Sequence, residues 1–551
     1  MTFRHRKAIS LPAICCLTLL LTASGARALP MTLQQTWLGE TVSDQFGYAI
    51  ASVGDFNGDG HEDFLVGANV NDHLVLSGGR VYLYLGGPSY PPAFALAFAG
   101  NVGRGYVGGA LAGGADLNGD GYDDFAVGAP GWGTDDAHPG RVYVFYGGPT
   151  PDATPDLILD GTVPAGDFGV ALTVVRDWNG DGFADLVVGA PRAGGGTVSV
   201  YLGGASGLPA VPAVVLHARA GDNRFGKALA WLPDRNGDGR DELLVGVPRS
   251  FQAAVWAGAV LLFDGAAVPD TVADLVLLGQ NAGDEFGSSL AAGSDIDGDG
   301  LADILVGAPL ANPAFVVDAG QTLLFGTSGG LNAVPDLVWS GTQIREHFGH
   351  ALATGFDWDG DGQPDLAIGV PDRTSGGLTY AGEVEIHLGG VGLNTLPDAL
   401  LSGGTAGKHW GTAVTPAGDL QGSLGSTLGV GGYNSVDAGQ VRLYGRNEVT
   451  ISAVPQPMTT SARLLPPWPN PANPATAVAL VINDPGHWRL NVYDLAGRRV
   501  ATLHDGELTA GQHTWRWQGR DQRGQQVASG NYLVRATSRG QQLVRGLTVV
   551  R

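Results

Sequence analysis

The chain has 551 residues, with 89 glycines, 32 prolines, 44% apolar side chains and a net charge of −22. High glycine and proline beside an ordinary apolar fraction argue against disorder and against a long-helix protein, and point to a turn-rich all-β chain of more than one domain. The strong negative charge argues against nucleic acid or anionic lipid as partners.

Residues 1–28 read as a secretory signal peptide. Arg4, Arg6 and Lys7 form a basic start, Leu11 to Leu21 an apolar run, and Ala26-Arg27-Ala28 a small-residue cleavage site. The run is short for a membrane span, and no other segment suits one. Cys15 and Cys16 both lie in this run without a convincing lipobox, so the mature chain is expected to hold no disulfide. Removing residues 1–28 takes away four basic side chains and no acid, which shifts the net charge from −22 to −26.

From residue 31 onward a repeat dominates. Aligned on the first Asp of an acidic loop, its seven copies start at Asp55, Asp116, Asp177, Asp234, Asp295, Asp357 and Asp419, spaced by 61, 61, 57, 61, 62 and 62 residues. Nine positions before each Asp stands a bulky residue: Phe46, Val107, Phe168, Phe225, Phe286, Phe348 or Trp410, each followed by Gly. Copy one shows four strand-like runs, at Tyr48–Val53, Asp63–Gly67, Val81–Leu85 and Phe94–Phe98. Such a unit cannot bury its faces alone, and seven of them predict a closed seven-bladed β-propeller over 31–446 rather than an open solenoid.

Six copies carry D-x-[ND]-G-D-G-x-x-[DE]. Side chains at positions 1, 3, 5 and 9 and the carbonyl at 7 can converge on one hard cation, and the glycines at 4 and 6 permit the left-handed turn. The candidate ligands are Asp55, Asn57, Asp59, His61 and Asp63; Asp116, Asn118, Asp120, Tyr122 and Asp124; Asp177, Asn179, Asp181, Phe183 and Asp185; Asp234, Asn236, Asp238, Arg240 and Glu242; Asp295, Asp297, Asp299, Leu301 and Asp303; and Asp357, Asp359, Asp361, Gln363 and Asp365. His61, Tyr122, Phe183, Arg240, Leu301 and Gln363 would contribute only their carbonyls. Oxygen donors without nitrogen or sulfur suit Ca²⁺. An EF-hand would need Glu at position 12, where Val66, Val127, Val188, Val245, Val306 and Ile368 stand instead. The loops hold 23 of the 53 acids, a density that calls for a cation. Six structural Ca²⁺ ions are expected. Copy seven offers Asp419, Gln421, Ser423, Gly425 and Thr427, with one carboxylate, and is expected to bind none.

At these residues the chain resembles the FG-GAP repeat of integrin α-subunit propellers and their bacterial relatives. The resemblance implies Ca²⁺ between the first and second strands of a blade, and a role in adhesion or ligand binding. Val107 in place of Phe and the degenerate seventh loop depart from the pattern. The last copy lacks a fourth strand, and Thr32–Leu38 is expected to supply it by pairing with Gln440–Tyr444.

A Pro-rich linker over 447–464 and a small Ig-like β-sandwich over 465–551 complete the domain reading, with strands at Trp488–Tyr493, Arg499–Leu503, His513–Trp517, Tyr532–Ala536 and Leu543–Val550. The W-P-N-P-x-N-P opening, V-Y-D-L-A-G-R-R-V and A-S-G-N-Y-L-V-R are similar to the C-terminal sorting domains of bacterial surface proteins and to the Ig-like domain of the flagellar hook-capping protein. That likeness implies export across an outer membrane and surface attachment or release, in a Gram-negative-type bacterium.

No H-E-x-x-H or P-loop motif is present, and no enzyme is expected. The expectation is a monomeric, secreted or cell-surface protein binding an extracellular protein. Carbohydrate is the alternative ligand, with Trp132, Phe251, Trp256, Phe315 and Tyr380 as stacking candidates. An unrecognised hydrolase is the third reading.

Overall fold

A computed structural model describes residues 31–133, 138–268, 270–327, 331, 333–421, 426–433, 437–445, 462–464, 475–482, 485–494, 498–538 and 541–550. The proposed signal peptide, Ser423, Gly425 and most of the Pro-rich linker lie outside these residues. The chain divides into two compact units, Met1–Glu448 and Val449–Arg551.

The first unit consists of seven four-stranded antiparallel sheets. Blade one runs through Phe46–Gly54, Asp63–Ala68, Arg80–Tyr84 and Leu96–Ala99. The second strand of every blade is buried along its whole length, as DFLVGA, DFAVGA, DLVVGA, ELLVGV, DILVGA, DLAIGV and TLGVGG. Blades cover it on both faces, so these runs are nearly continuous in apolar residues instead of alternating. First strands of neighbouring blades touch all the way round, including blade one with blade seven. The ring is closed and its axis is lined by first strands.

Glycine sets the spacing between blades. A Cβ on Gly67 would lie 2.2 Å from the Gly108 carbonyl oxygen of the next blade, and one on Gly431 would lie 2.1 Å from that of Gly47. The seventh-to-first contact therefore has the same geometry as the others. Beside each contact the bulky residue is an anchor: Phe46, Phe225, Phe348 and Trp410 are all at most 1% exposed. Val107 fills the same role at 1% exposure, so the departure from Phe costs the second blade no burial.

Blade seven is built from both ends of the unit. Ala413–Gly418, Thr427–Gly432 and Gln440–Gly445 are joined by Thr32–Leu38, which pairs antiparallel with Gln440–Gly445 from Leu38↔Gln440 to Thr32↔Gly445. Trp37, 4% exposed, then reaches blade one: its ring centre lies 5.0 Å from those of Phe64 and Tyr84, and its Nε1–H donates to the Pro91 carbonyl at 2.9 Å.

The second unit has two sheets. One holds Ala462–Leu464, Thr476–Ile482 and Gly511–Trp517; the other orders Arg499–Leu508, Gly486–Asp494, Gly530–Ser538 and Gln541–Val549. Val478, Leu480, Trp488, Leu490, Val492, Trp517 and Val534 form its core. Ala462–Leu464 falls in the stretch read as linker, yet it pairs with Thr476–Ile482, a strand that the sequence reading passed over.

Candidate metal centres and the opposite face

Each acidic loop joins a blade's first and second strands, so all six sit at one end of the ring. Their turns repeat one hydrogen-bond pattern. In loop one, Asp55 Oδ2 accepts the Gly60 N–H at 2.8 Å, Asn57 Oδ1 accepts the Asp59 N–H at 2.9 Å, and Asp59 Oδ1 accepts the His61 N–H at 3.0 Å. The same first and last bonds recur at Asp116 and Asp120, Asp177 and Asp181, Asp234 and Asp238, Asp295 and Asp299, and Asp357 and Asp361. In blade one the turn is possible because Gly58 and Gly60 hold φ of +74° and +88°.

Position nine behaves differently from the rest. Asp63 is fully buried, with Oδ2 accepting the Phe56 N–H at 3.1 Å and Oδ1 the Gly86 N–H at 2.7 Å. Asp124 and Asp185 make the equivalent pair of bonds, as does Asp365 with Trp358 and Gly389. This carboxylate clamps the loop to the turn between the third and fourth strands. Burial pushes Asp63, Asp124, Asp185, Asp303 and Asp365 up to about 7, and Glu242 up to about 8.

Two loops bring three acids together among the described residues. Carboxylate oxygens of Asp295, Asp297 and Asp303 lie within 4.8 Å of one another, as do those of Asp357, Asp359 and Asp361. Loops one to four carry Asn at position three and so offer fewer charges. Asp303 supplies the fit test. It is 1% exposed, and its Oδ1 has no hydrogen-bond partner among the described residues. An orphaned, desolvated carboxylate oxygen beside two more carboxylates suits a hard divalent cation.

The sequence reading missed a link between loops. The N–H at position eight donates to the position-one carbonyl of the preceding loop: Asp123 to Asp55 at 3.4 Å, Ala184 to Asp116 at 3.3 Å, Asp241 to Asp177 at 3.0 Å, and Glu62 to Asp419 at 3.4 Å. Asp123 adds a side-chain brace, its Oδ2 accepting the Asp55 N–H at 2.9 Å. Alternation of Asp, Glu, Ala and Pro at position eight gives no sign of this in sequence, because the backbone carries it.

The opposite end of the ring bears the loops between second and third strands and between blades. There the residue before each anchor is held in the left-handed region: Gln45, Tyr106, Asp167, Arg224, Glu285, His347 and His409 have φ between 48° and 63°. Asp372 bridges two of them, its oxygens each 2.5 Å from the Nδ1 of His347 and of His409. Burial works against its charge, and these two hydrogen bonds outweigh it, holding Asp372 well below the usual carboxylate range. Rings of Tyr380, His409, Tyr433 and Tyr48 follow one another at centroid spacings of 5.9, 6.0 and 5.7 Å. Of the proposed stacking residues, Trp132 is covered by the Arg141 guanidinium at 3.4 Å, whereas Phe251, Trp256, Phe315 and Tyr380 are exposed.

Comparison with known proteins agrees with this architecture. The FG-GAP repeat model matches residues 46–84, 107–145, 168–201, 286–325 and 348–386, and the FlgD Ig-like domain model matches 469–542. Integrin alpha-5 of Xenopus laevis is 33% identical over 40% of this chain and 22% of its own length. Integrin alpha-IIb of Mus musculus is 39% identical over 30% of this chain and 16% of its own, and the phosphatidylinositol-glycan-specific phospholipase D of the same species is 41% identical over 24% and 17%. The chain thus spans no more than about a fifth of these relatives. FlgD from P. aeruginosa matches 13% of this chain and 59% of its own at 25% identity, with a TM-score of 0.12. Among the described residues no helix is long and apolar enough to cross a membrane. The chain carries FG-GAP repeats of the integrin-α kind in a β-propeller, followed by a FlgD Ig-like domain.

Proposed function

We propose that this is a secreted or cell-surface, monomeric binding protein whose propeller is locked by Ca²⁺ in six loops and whose opposite face takes an extracellular protein ligand. The observation that carries the ligand reading is the division of labour between the ends of the ring. One end is spent on acidic turns. The other presents Leu74, Leu76, Trp256, Phe315, Val317 and Ile344, each between 43% and 98% exposed, from loops of several blades. We further propose 31–446 as the propeller, 447–464 as linker, and 465–551 as the unit that addresses the protein to export or attachment machinery. Binding without turnover is the proposed activity, although a phospholipase shares part of the sequence.

The test is capture of surface proteins by the immobilised chain in millimolar calcium and in EGTA, alongside a glycan array. A protein ligand lost on chelation supports the reading. Glycan binding alone would favour the second reading, a carbohydrate-binding propeller, for which exposed Trp256 and Tyr380 speak.

A further inference from the structure

Alternate side chains of each blade's third strand face the preceding blade, and blade three departs from the rest. Its middle position on that face is Ser199, where the other blades place Tyr82, Tyr143, Leu261, Leu323, Glu385 and Arg442. In blades one, two, six and seven the space beside this position is filled. Tyr82 packs on Phe94 and Tyr143 on Phe98, with ring centres 5.1 and 4.8 Å apart; Glu385 binds Arg373, and Arg442 lies over Trp410. The connection into the third strand is also shortest in blade three. It runs from Ala190 to Thr197, against Ala129 to Arg141 in blade two, and turns through Gly194, Gly195 and Gly196 at positive φ. The repeat spacing of 57 residues, where the others have 61 or 62, comes from this connection.

A small side chain under a short connection leaves a cleft of about 400 Å³ between blades two and three. Thr197, Ser199 and Tyr201 line it from one face of the strand, about 6–7 Å apart. Ser199 is 8% exposed and Tyr201 3%, yet none of the three hydroxyls has a hydrogen-bond partner among the described residues. Buried hydroxyls ordinarily find one. Burial alone pushes Tyr201 up to about 12, so its phenol stays protonated and able to donate. Val163, Phe168, Val211 and Val215 supply apolar wall. The carboxylate at the rim, Asp160, is taken by the Arg141 guanidinium at 2.6 and 3.0 Å, and no Lys or Arg lines the cleft.

That combination selects the ligand. A hydroxyl both donates and accepts, so a row of three matches a molecule whose polar groups do both, and the apolar wall matches the C–H groups between them. An anion would find no free cation here. A purely apolar molecule would leave the buried hydroxyls unpaired, at a cost. The volume lies at the small end for ligand pockets, about 300–1,000 Å³, which excludes a folded partner. We propose that the cleft between blades two and three binds a neutral sugar ring, held by Thr197, Ser199 and Tyr201. This site is separate from the loop face proposed above for a protein ligand, and it does not rest on that reading.

The test titrates the full chain in millimolar calcium with the methyl glycosides of glucose, galactose and mannose, read by saturation-transfer NMR. At least one is expected to bind with a dissociation constant of about 1 mM or tighter, and glucuronate and cyclohexanol at least about tenfold more weakly. Ser199→Leu installs the residue of blades four and five, fills the cleft and should weaken glycoside binding at least about tenfold. Tyr201→Phe installs the residue of blades two, four and five, removes one hydroxyl and should weaken it by about threefold or more. Both variants are expected to melt no lower than the parent, because one fills space and the other removes an unpaired polar atom. Lost binding with stability kept separates a ligand site from a structural role. If Ser199→Leu does not melt cooperatively, Tyr201→Phe alone is read. Stronger binding of the preferred sugar's disaccharide marks the end of a glycan and weaker binding a free sugar; either supports the cleft. Failure of all three glycosides to bind overturns it, as does affinity unchanged in folded Ser199→Leu. Tighter binding of glucuronate or cyclohexanol overturns the neutral sugar. Glycoside binding without protein capture leaves the cleft standing and removes the protein-ligand reading, and the converse removes the cleft alone.

Discussion

Blades six and seven pair their first two strands in one register and differ in the loop between them. Ala351↔Gly369 corresponds to Ala413↔Gly431, and Phe356↔Asp365 to Gly418↔Thr427, with the same one-residue shift before the loop. Blade six closes its loop with buried Asp365, which takes the N–H groups of Trp358 and Gly389. Blade seven uses Thr427, 3% exposed, whose hydroxyl donates to the Gly418 carbonyl at 2.8 Å. The sheet therefore does not need acids to pair. Carboxylates about 4 Å apart repel by roughly 1 kcal/mol in water and roughly 4 kcal/mol near a protein surface, so the surplus acids of the other six blades are a cost unless a cation offsets them.

Chelation tests that contrast most strongly. With extracellular affinities of about 10⁻⁴–10⁻³ M, 1 mM calcium contributes about 0.4–1.4 kcal/mol per occupied loop, and the effect accumulates over six loops. The melting temperature of the propeller is expected to fall steeply in EGTA. Identical melts with EGTA and with calcium would leave the acids of blades one to six unexplained and break the comparison.

Blade seven holds by closure instead, and that too can be broken. Trp37 stands on its outer strand and packs against Phe64 and Tyr84 of blade one. Trp37→Ala removes a fully packed ring and is expected to cost about 3–5 kcal/mol in denaturant unfolding. A loss below about 1 kcal/mol would mean that the N-terminal strand decorates the ring rather than closing it.

The junction of blades six and seven has a polar brace of its own at Asp372, shared by His347 and His409. Asp372→Asn removes two charge-assisted bonds, with an expected cost of about 1.5–3 kcal/mol at neutral pH. Because Asp372 is held below its unfolded value of about 3.9, its contribution is present above that pH and fades as the pH falls further. Thermal melts of both forms from pH 8 to pH 3 check the sign: the gap between them should narrow only at the acid end.

Much of this was legible because repetition multiplies weak signals. The anchors, the Gly-Ala-Pro strands and the acidic turns recur at fixed offsets, so blade count, loop position and the pairing of Thr32–Leu38 follow from spacing. Tertiary contacts were less legible. Nothing in sequence reports that position nine clamps Gly86, or that the Glu62 N–H reaches the Asp419 carbonyl, because these bonds run through the backbone of distant segments. Thr476–Ile482 escaped notice because the Pro-rich opening before it suggested a linker, although Val478, Leu480 and Ile482 alternate inward.

The smallest expected effect is the sharpest test of blade seven. Asp357 and Asp419 occupy the same position of their loops, but only Asp357 lies in a cluster with two further carboxylates among the described residues. Asp357→Ala should remove one ion, lowering the count in native mass spectrometry from six to five, and should cost about 0.4–1.4 kcal/mol in 1 mM calcium. Asp419→Ala should leave the count at six. Its contact with the next loop runs through its carbonyl, which accepts the Glu62 N–H and survives the substitution. Its Oδ1 also accepts the Gln421 N–H at 3.3 Å, and losing that bond is expected to cost no more than about 1 kcal/mol. A seventh ion in the parent chain that disappears with Asp419→Ala would overturn the distinction between the blades. The acids at the remaining positions would then be less decisive for binding than the turn itself.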